Sequence, residues 1–503
     1  MTISTSYERQ IISEIKQYEK NKDMHDLPLA YNYYSNKFVK PKIQHVFGSQ
    51  ENSDVSILDV FIESIAQSFD TTGNYNVISL GAGDCDVETD IAYGLKCKGF
   101  NNFKISCFEL SLVQLERARK NADEKKVSNY IQLIEADLNK PLEFNTKVGA
   151  FIINQSMHHF VELEHLTGEI LRLIDDNGSF ILADIIGRNG HMRWPETLNL
   201  VRELWAYLPG KIRWNNQRFF DDQFFENWDC STEGFEGVRA QDILPLLLDK
   251  FDFSKHVAFG GISEPFIDRA YGNNFDISRE SDKEFLDAVN EIEQHFINNG
   301  MIKPTQIVSV MHKKGQFKGK CKSANGVTPN KSLRLEKYHG KYPSIKNMQH
   351  LNLGFKLSEH TDLVIEDACL IKFDTGEIGN KILRWGWQKP ENGFVWSTGI
   401  ESCLQFKLDR SSDKVIKFHI IDPLKNILKI DRSFSISING IILLTLNLNT
   451  YQEDKVDLLI PKNGEVESIV RVLFHIERTL RYDLDDVTDK RPLGIGLISL
   501  HSK

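Results

Sequence analysis

Three acidic residues crowd a glycine turn in VISLGAGDCDVETDIA, residues 77–92. The apolar run 77–80 reads as a strand, Gly81-Ala82-Gly83 as a tight turn and the following residues as a helix, so a ligand can approach the helix N-terminus closely. A dinucleotide's pyrophosphate is a poor occupant, because Asp84, Asp86 and Glu88 would repel it and Asp86 stands where a G-x-G-x-x-G pattern has its third glycine. The acids suit a ligand with positive charge. Glu109, followed by Leu110, closes the next strand-like run, FKISCF, where an acid accepts hydrogen bonds from both hydroxyls of a ribose. Asp137, with Leu138, closes YIQLIEA, beside the place an adenine would take. Either acid alone could equally cap a helix. Together they outline a crevice for an adenosyl group with a cationic tail.

S-adenosylmethionine, with an ammonium and a sulfonium beside its adenosine, has that chemistry. Transfer of its methyl group is an in-line displacement that gains most from alignment and exclusion of water. A neutral hydroxyl acceptor gains further from a base, and histidine has a suitable pKa. His158 and His159 follow the fourth strand in NQSMHHF and are the candidate catalytic residues, with a purely structural pair as the other reading. Asn154 and Gln155 close that strand within reach of cofactor or acceptor. Asp184, in the fifth strand SFILADII, is a candidate to hold an acceptor hydroxyl; no second acid stands beside it, so no metal site is expected. Further on, GRNGHMRWPE, KIRWNNQRFF, NWDCSTEGFEGVRAQD and PFIDRAYGNNF interleave Arg, Trp, Asn and His, a mixture that stacks on sugar rings and binds hydroxyls or phosphates. His191, Arg193, Trp194 and Arg239 are the candidate acceptor contacts, set against a reading in which they only pack and pair locally.

The elements that must position these residues alternate. Strand-length apolar runs at 75–80, 103–108, 130–136, 148–154 and 179–186 are separated by helical patterns at 87–97, 111–124 and 161–174. Such alternation predicts a doubly wound, mostly parallel, Rossmann-like α/β sheet covered on both faces. Two more strands, 256–261 and 306–313, follow helical inserts at 188–250 and 262–304 that would cap the functional edge. A helical segment, 1–70, precedes the core of 71–313. Residues 314–346 read as a basic linker, and short strand-like runs over 347–503 predict an all-β sandwich.

Taken as a set, ISLGAGDC, CFEL, EADL and FIINQSMHHF resemble a class I S-adenosylmethionine-dependent methyltransferase over residues 75–187. The resemblance implies that Gly81, Ala82, Gly83, Asp84, Asp86, Glu109, Leu110, Asp137, Leu138 and Asn154 bind the cofactor. The chain departs from the family at Ser79, where an acid is common, and at Cys85, where a third glycine is; these departures support the alternative of a non-catalytic S-adenosylmethionine- or glycan-binding scaffold with a degenerate fold. The cap resembles that of surface-polysaccharide methyltransferases, which implies a sugar or nucleotide-linked sugar as acceptor. The C-terminal region, with Trp385, Trp387 and Trp396 close together and the ending DKRPLGIGLISL, resembles β-sandwich accessory domains of bacterial capsule proteins, which implies a carbohydrate or protein partner. Those tryptophans form either a core or an aromatic platform for a sugar.

Composition bounds the rest. The 503 residues exceed a single domain's usual length, and 41% hydrophobic with 26% charged residues is an ordinary globular balance. A net charge of −9 disfavours a nucleic-acid partner. No N-P-P-Y-like tetrapeptide follows the fourth strand, which disfavours a nucleic-acid methyltransferase as well. Seven scattered cysteines without a C-x-x-C pair, no signal-like N-terminus and no long apolar stretch read as a cytoplasmic protein without a membrane span.

Overall fold

The structure is a computed structural model. It describes residues 27–48, 54–217, 220–222, 225–232 and 234–334, and further along 342–345, 348, 352–355, 363–374, 378–383, 387, 390, 393–398, 401–421, 433–439, 441–448, 455–462, 464, 468–476 and 493–502. The chain divides into two units, one comprising Met1–Asp221 with Asn227–Lys356, the other Asp222–Glu226 with Leu357–Lys503.

The first unit is built on an eight-stranded sheet. Its strands are β1 (Asn76–Leu80), β2 (Lys104–Glu109), β3 (Ile131–Glu135), β4 (Val148–Asn154), β5 (Ile174–Ile185), β8 (Phe251–Phe259), β9 (Gln306–Lys313) and β10 (Lys322–Ser323); β6 (Trp214–Asn215) and β7 (Phe220–Asp221) form a separate hairpin. The order is β10-β8-β9-β5-β4-β1-β2-β3, and β9 alone runs against its neighbours β5 and β8. Val77, Ile78, Leu80, Ala150, Phe151, Ile153, Phe180, Ile181 and Leu182 are all fully buried. That continuous burial is what a sheet covered on both faces demands. The chain moves outward from β1 to β2 and β3 in one direction and to β4 and β5 in the other. The carboxyl ends of β1 and β4 therefore border a crevice at the point of reversal.

Eight helices of eight or more residues surround this sheet among the described residues: α1 (Lys40–Phe47), α2 (Ile57–Thr72), α3 (Asp86–Cys97), α4 (Leu112–Glu124), α5 (Leu163–Leu173), α6 (Pro195–Trp205), α7 (Ala240–Lys250) and α8 (Glu280–Asn298). Helix α2 opens on a reciprocal capping box between Ser56 and Asp59 and stops at Gly73, whose φ of +68° ends it. It packs on β4 and β5. The span between β5 and β8 carries α6, the hairpin and α7, and the span between β8 and β9 carries α8. Strand β5 begins five residues before the expected position 179, because Ile174 already pairs with Val148 across a register shift. Of the N-terminal segment, residues 1–26 lie outside the described residues, as does part of the expected linker.

The second unit holds two sheets, both largely antiparallel. One orders Val364–Ile365, Glu401–Leu408, Ser468–Ile476, Ser433–Ile438 and Ile441–Asn447; the other orders Leu370–Lys372, Leu493–Ser502, Lys414–Ile421 and Lys455–Ile460, with Val395–Thr398 also on Leu493–Ser502. Strict alternation of buried and less buried residues in Lys414–Ile421 and Ser468–Ile476 turns one face of each strand inward. Phe406, Phe418, Phe434 and Phe474 meet in one apolar cluster drawn from both sheets. Trp387 belongs to this packing: its Nε1 donates to the Cys403 carbonyl at 2.7 Å and its ring lies 5.6 Å from that of Phe474. Trp396 packs edge-on against Phe394. Trp387 serves the core rather than a sugar platform, Trp396 is half-buried and outside that cluster, and Trp385 lies outside the described residues. Phe474 contacts the rings of Trp387, Phe418 and Phe434. Phe474→Ala should therefore destabilise this unit by about 3–5 kcal/mol, measured as a fall in the urea midpoint followed by tryptophan fluorescence.

Candidate active site

The glycine turn is fixed from two sides. Gly81 and Gly83 adopt φ of +67° and +55°, and the N–H groups of Gly81 and Ala82 both donate to the Phe108 carbonyl at 2.9 and 3.1 Å. A side chain at Gly81 would place its Cβ 2.7 Å from Ser156 Cβ, so the turn after β1 nests against the turn after β4. Glu109, at the end of β2, accepts from Gly83 N–H at 3.0 Å and Ser111 N–H at 2.9 Å. Burial pushes its pKa up while these backbone donors oppose the shift. Leu110 follows it, half-buried. Asp137 accepts from Asn139 N–H at 3.1 Å and pairs with Lys140 at 3.1 Å; Leu138 beside it is buried. Asn154 ends β4 opposite Ala183.

The three acids of the first helical turn separate into different roles. Asp84 lies on the turn itself, and its Oδ1 accepts from Asp86 N–H at 3.3 Å. Asp86 is committed to Lys125, 3.2 Å away, which also binds Asp90 at 2.5 Å. Asp86, expected to face the cofactor, is thus paired with Lys125 while about half its side chain stays exposed. Glu88 is buried, and its Oε1 accepts from Ser79 Oγ at 2.7 Å. The acid missing from position 79 is thus supplied by α3, and burial pushes it up to about 7. Cys85 is buried at φ +54°, where a glycine would relieve the backbone.

Across the crevice, Asp184 is fully buried and accepts four hydrogen bonds. Ser156 N–H and Met157 N–H reach its Oδ2 at 3.1 and 2.7 Å, and Ile185 N–H and His158 Nδ1 reach its Oδ1 at 2.7 and 2.6 Å. Every lone pair faces a protein donor, so Asp184, expected to hold an acceptor hydroxyl, is engaged in positioning His158. Because a carboxylate only accepts, the His158 proton sits on Nδ1 and Nε2 points away from Asp184. Burial works against a charge on His158, but Asp184 and Glu236 together push its pKa up to about 10.

His158 Nε2 points toward the cap. Glu236 Oε1 lies 3.3 Å from it and 2.6 Å from His191 Nε2, while Glu236 Oε2 lies 3.5 Å from His159 Nε2. Burial opposes the Glu236 charge, yet these histidines hold it well below the usual carboxylate range. Glycines bring the two cap loops together: Gly190 N–H donates to the Gly237 carbonyl at 2.9 Å, and a Cβ on Gly237 would lie 3.0 Å from Gly190 N. Gly190 and His191 both take left-handed conformations, with φ of +64° and +56°. Sequence reasoning passed over Glu236; its flanking glycines, Gly234 and Gly237, were the available signal.

The remaining acceptor candidates are more strongly engaged than expected. Arg193 donates to the His191 carbonyl at 2.5 Å and pairs with Glu264 at 3.3 Å, so it braces the His191 loop. Trp194 is flanked by guanidiniums, Arg334 at 4.0 Å and Arg188 at 5.9 Å from its centroid, and Arg334 is tied to the buried Glu196. Arg239 forks onto Glu164 at 2.7 Å and also binds Asp242 and the Val161 carbonyl. These partners make Arg239, an expected acceptor contact, a clamp between α5 and α7.

A parallel sheet whose order reverses beside β1, with a glycine turn there and an acid ending β2, defines a nucleoside-binding α/β domain. Residues 71–217 match a family model described as a methyltransferase domain. S-adenosylmethionine is the cofactor that such a domain implies. Similar solved structures include the StiE O-MT, at 12% identity over 51% of this chain and 75% of that one, with a TM-score of 0.30. The [4+2]-cyclase SpnF is 13% identical over 56% of this chain and 95% of its own, with a TM-score of 0.30. An S-adenosylmethionine-dependent methyltransferase from Clostridium acetobutylicum is 16% identical over 31% of this chain and 62% of its own, with a TM-score of 0.22. No curated protein matches the sequence. No helix among the described residues is long and apolar enough to cross a membrane.

Glu88 offers a test of the cofactor turn. Its folded pKa of about 7 lies above the ordinary 4.5, so its contribution to stability is complete below pH 4.5 and is lost as pH rises through 7. The melting temperature of the wild type should fall between pH 5 and 8 by more than that of Glu88→Gln, which keeps the neutral hydrogen-bonding form; equal slopes in calorimetry would refute the assignment.

Proposed function

We propose that the first unit is an S-adenosylmethionine-dependent O-methyltransferase that acts on a hydroxyl of a small polar acceptor, a sugar or nucleotide-linked sugar. The observation that carries this reading is the convergence of His158, His159 and His191 on Glu236 beside the glycine turn, with Ser156 packed between the two. Gly81–Gly83, Glu109, Asp137 and Leu138 would hold the cofactor, with Glu109 accepting from its ribose hydroxyls, and it would supply a methyl group activated by the sulfonium beside the turn that carries His158 and His159. Among polar acceptors, a hydroxyl fits a cluster of imidazoles and one carboxylate: Glu236 and the protonated His158 orient the O–H, and His159 or His191 receives its proton as the O–CH3 bond forms and the S–CH3 bond breaks. The polar carboxylate and imidazole groups at the centre of the cap support a sugar as the group bearing that hydroxyl. The second unit serves as an accessory module for a carbohydrate or protein partner, and the work is cytoplasmic.

Two measurements separate cofactor binding from turnover. In titration calorimetry, Glu109→Ala should weaken S-adenosylmethionine binding by about 10–100-fold through loss of its hydrogen bonds; absence of binding by the wild type would sink the reading. His158→Ala and Glu236→Ala should lower S-adenosylhomocysteine release on a panel of sugar hydroxyl acceptors by about 100-fold or more with cofactor affinity unchanged. If the wild type binds the cofactor yet releases no product across the panel, a non-catalytic scaffold is the better account.

A further inference from the structure

We propose that His158, His191 and Glu236 form a binding site for a divalent transition-metal ion. One ligand atom from each lies within 4.8 Å of the other two, close enough for a single ion to draw all three to bonds of about 2.0–2.2 Å. The three residues come from the turn after β4, the turn after β5 and the loop before α7, and each is held by its own device. His158 donates Nδ1–H to Asp184, which fixes the ring and turns Nε2 toward Glu236, where a cation would replace the Nε2 proton, the arrangement by which a second carboxylate orients a metal-bound histidine. His191 is held in a left-handed backbone conformation that a non-glycine residue rarely adopts, next to Gly190, where a Cβ would fall 1.8 Å from Asp229 Oδ1. Glu236 is carried by the loop whose Gly237 carbonyl receives Gly190 N–H.

The contact between His191 and Glu236 is the second observation. His191 Nε2 is sealed from solvent and stands 2.6 Å from Glu236 Oε1, yet it makes no hydrogen bond of acceptable angle. A shared cation satisfies both lone pairs where a poorly directed N–H does not. His159, 3.5 Å from the other Glu236 oxygen, lies beside this set and not in it. Two imidazoles and one carboxylate suit zinc, cobalt, iron or manganese better than magnesium or calcium, which prefer oxygen donors throughout. Three protein ligands leave a coordination position open. An acceptor hydroxyl bound there would be oriented and acidified next to the cofactor, a role that rests on the methyltransferase reading above.

The test uses the full chain stripped with a chelator and then titrated with Co2+ and with Zn2+. One equivalent should bind, with visible d–d absorption from Co2+ in a low-coordinate site. His191→Ala and Glu236→Gln should each abolish that spectrum, Asp184→Asn should weaken binding by about 10–100-fold, and His159→Ala should keep it, with circular dichroism confirming that each variant is folded. Failure of the wild type to bind, or binding that survives loss of both His191 and Glu236, overturns the proposal. Titration of the stripped protein with S-adenosylmethionine separates the two readings: cofactor binding without metal binding overturns only the metal site, and metal binding without cofactor binding overturns only the methyltransferase.

Discussion

A carboxylate buried at the end of β5 organises the carboxyl edge of the sheet. An ionised group in such a place is costly unless donors surround it, and Asp184 is met by three backbone N–H groups and one imidazole. Two of those backbone donors belong to the turn after β4, so satisfying the charge folds that turn back over β5. Gln155 takes φ of +52° to make the reversal. Ser156 then reaches the Leu80 carbonyl at 2.8 Å and fills the space that any side chain at Gly81 would need. The histidine turn and the cofactor turn are thereby one packed unit, and removal of the Asp184 charge would loosen both.

The cap depends on a different kind of contact. Its loops at Gly190 and Gly237 meet through glycine backbone: Gly190 N–H on the Gly237 carbonyl, with each glycine too tightly packed for a Cβ. Ion pairs then brace the outside. Arg239 joins α7 to Glu164 on α5, and Arg193 joins the His191 loop to Glu264, which also accepts from Gly261 N–H at 3.1 Å. Guanidiniums that resemble ligand-binding groups in the sequence are used here to hold a shape. Glu236 and the three histidines at the centre are the groups that the proposed function assigns to the acceptor.

The sheet was legible in the sequence because β1, β4 and β5 are apolar on both faces, a pattern that burial on both sides imposes at every position. The glycine turn, Glu109 and the histidine pair were legible because they stand at strand ends, whose place at the crevice follows from the topology. Glu236 was not legible. It reaches the site across a long stretch of irregular chain, and the glycines that flank it, Gly234 and Gly237, mark a turn without revealing what that turn meets. Glu88 misled for the opposite reason: its proximity to the glycines suggested exposure to the ligand, whereas the helical turn rotates it inward to Ser79. Arg239 shows a third limit, since a residue's partners depend on which helices pack together and Glu164 lies 75 positions away.

Exposure across the histidine cluster sets a direction of approach. The side chain of His158 is 3% exposed, that of His159 15%, that of His191 23% and that of Glu236 37%. The most buried of the four is fixed to the sheet through Asp184, and the most exposed is carried by the cap. On the methyltransferase reading proposed above, an acceptor would meet Glu236 first and His158 last, its hydroxyl exchanging water for carboxylate and imidazole in that order. Acceptor choice would then rest with the cap loops that carry Glu236 and His191, while the glycine turn and the Asp184–His158 contact stay as they are.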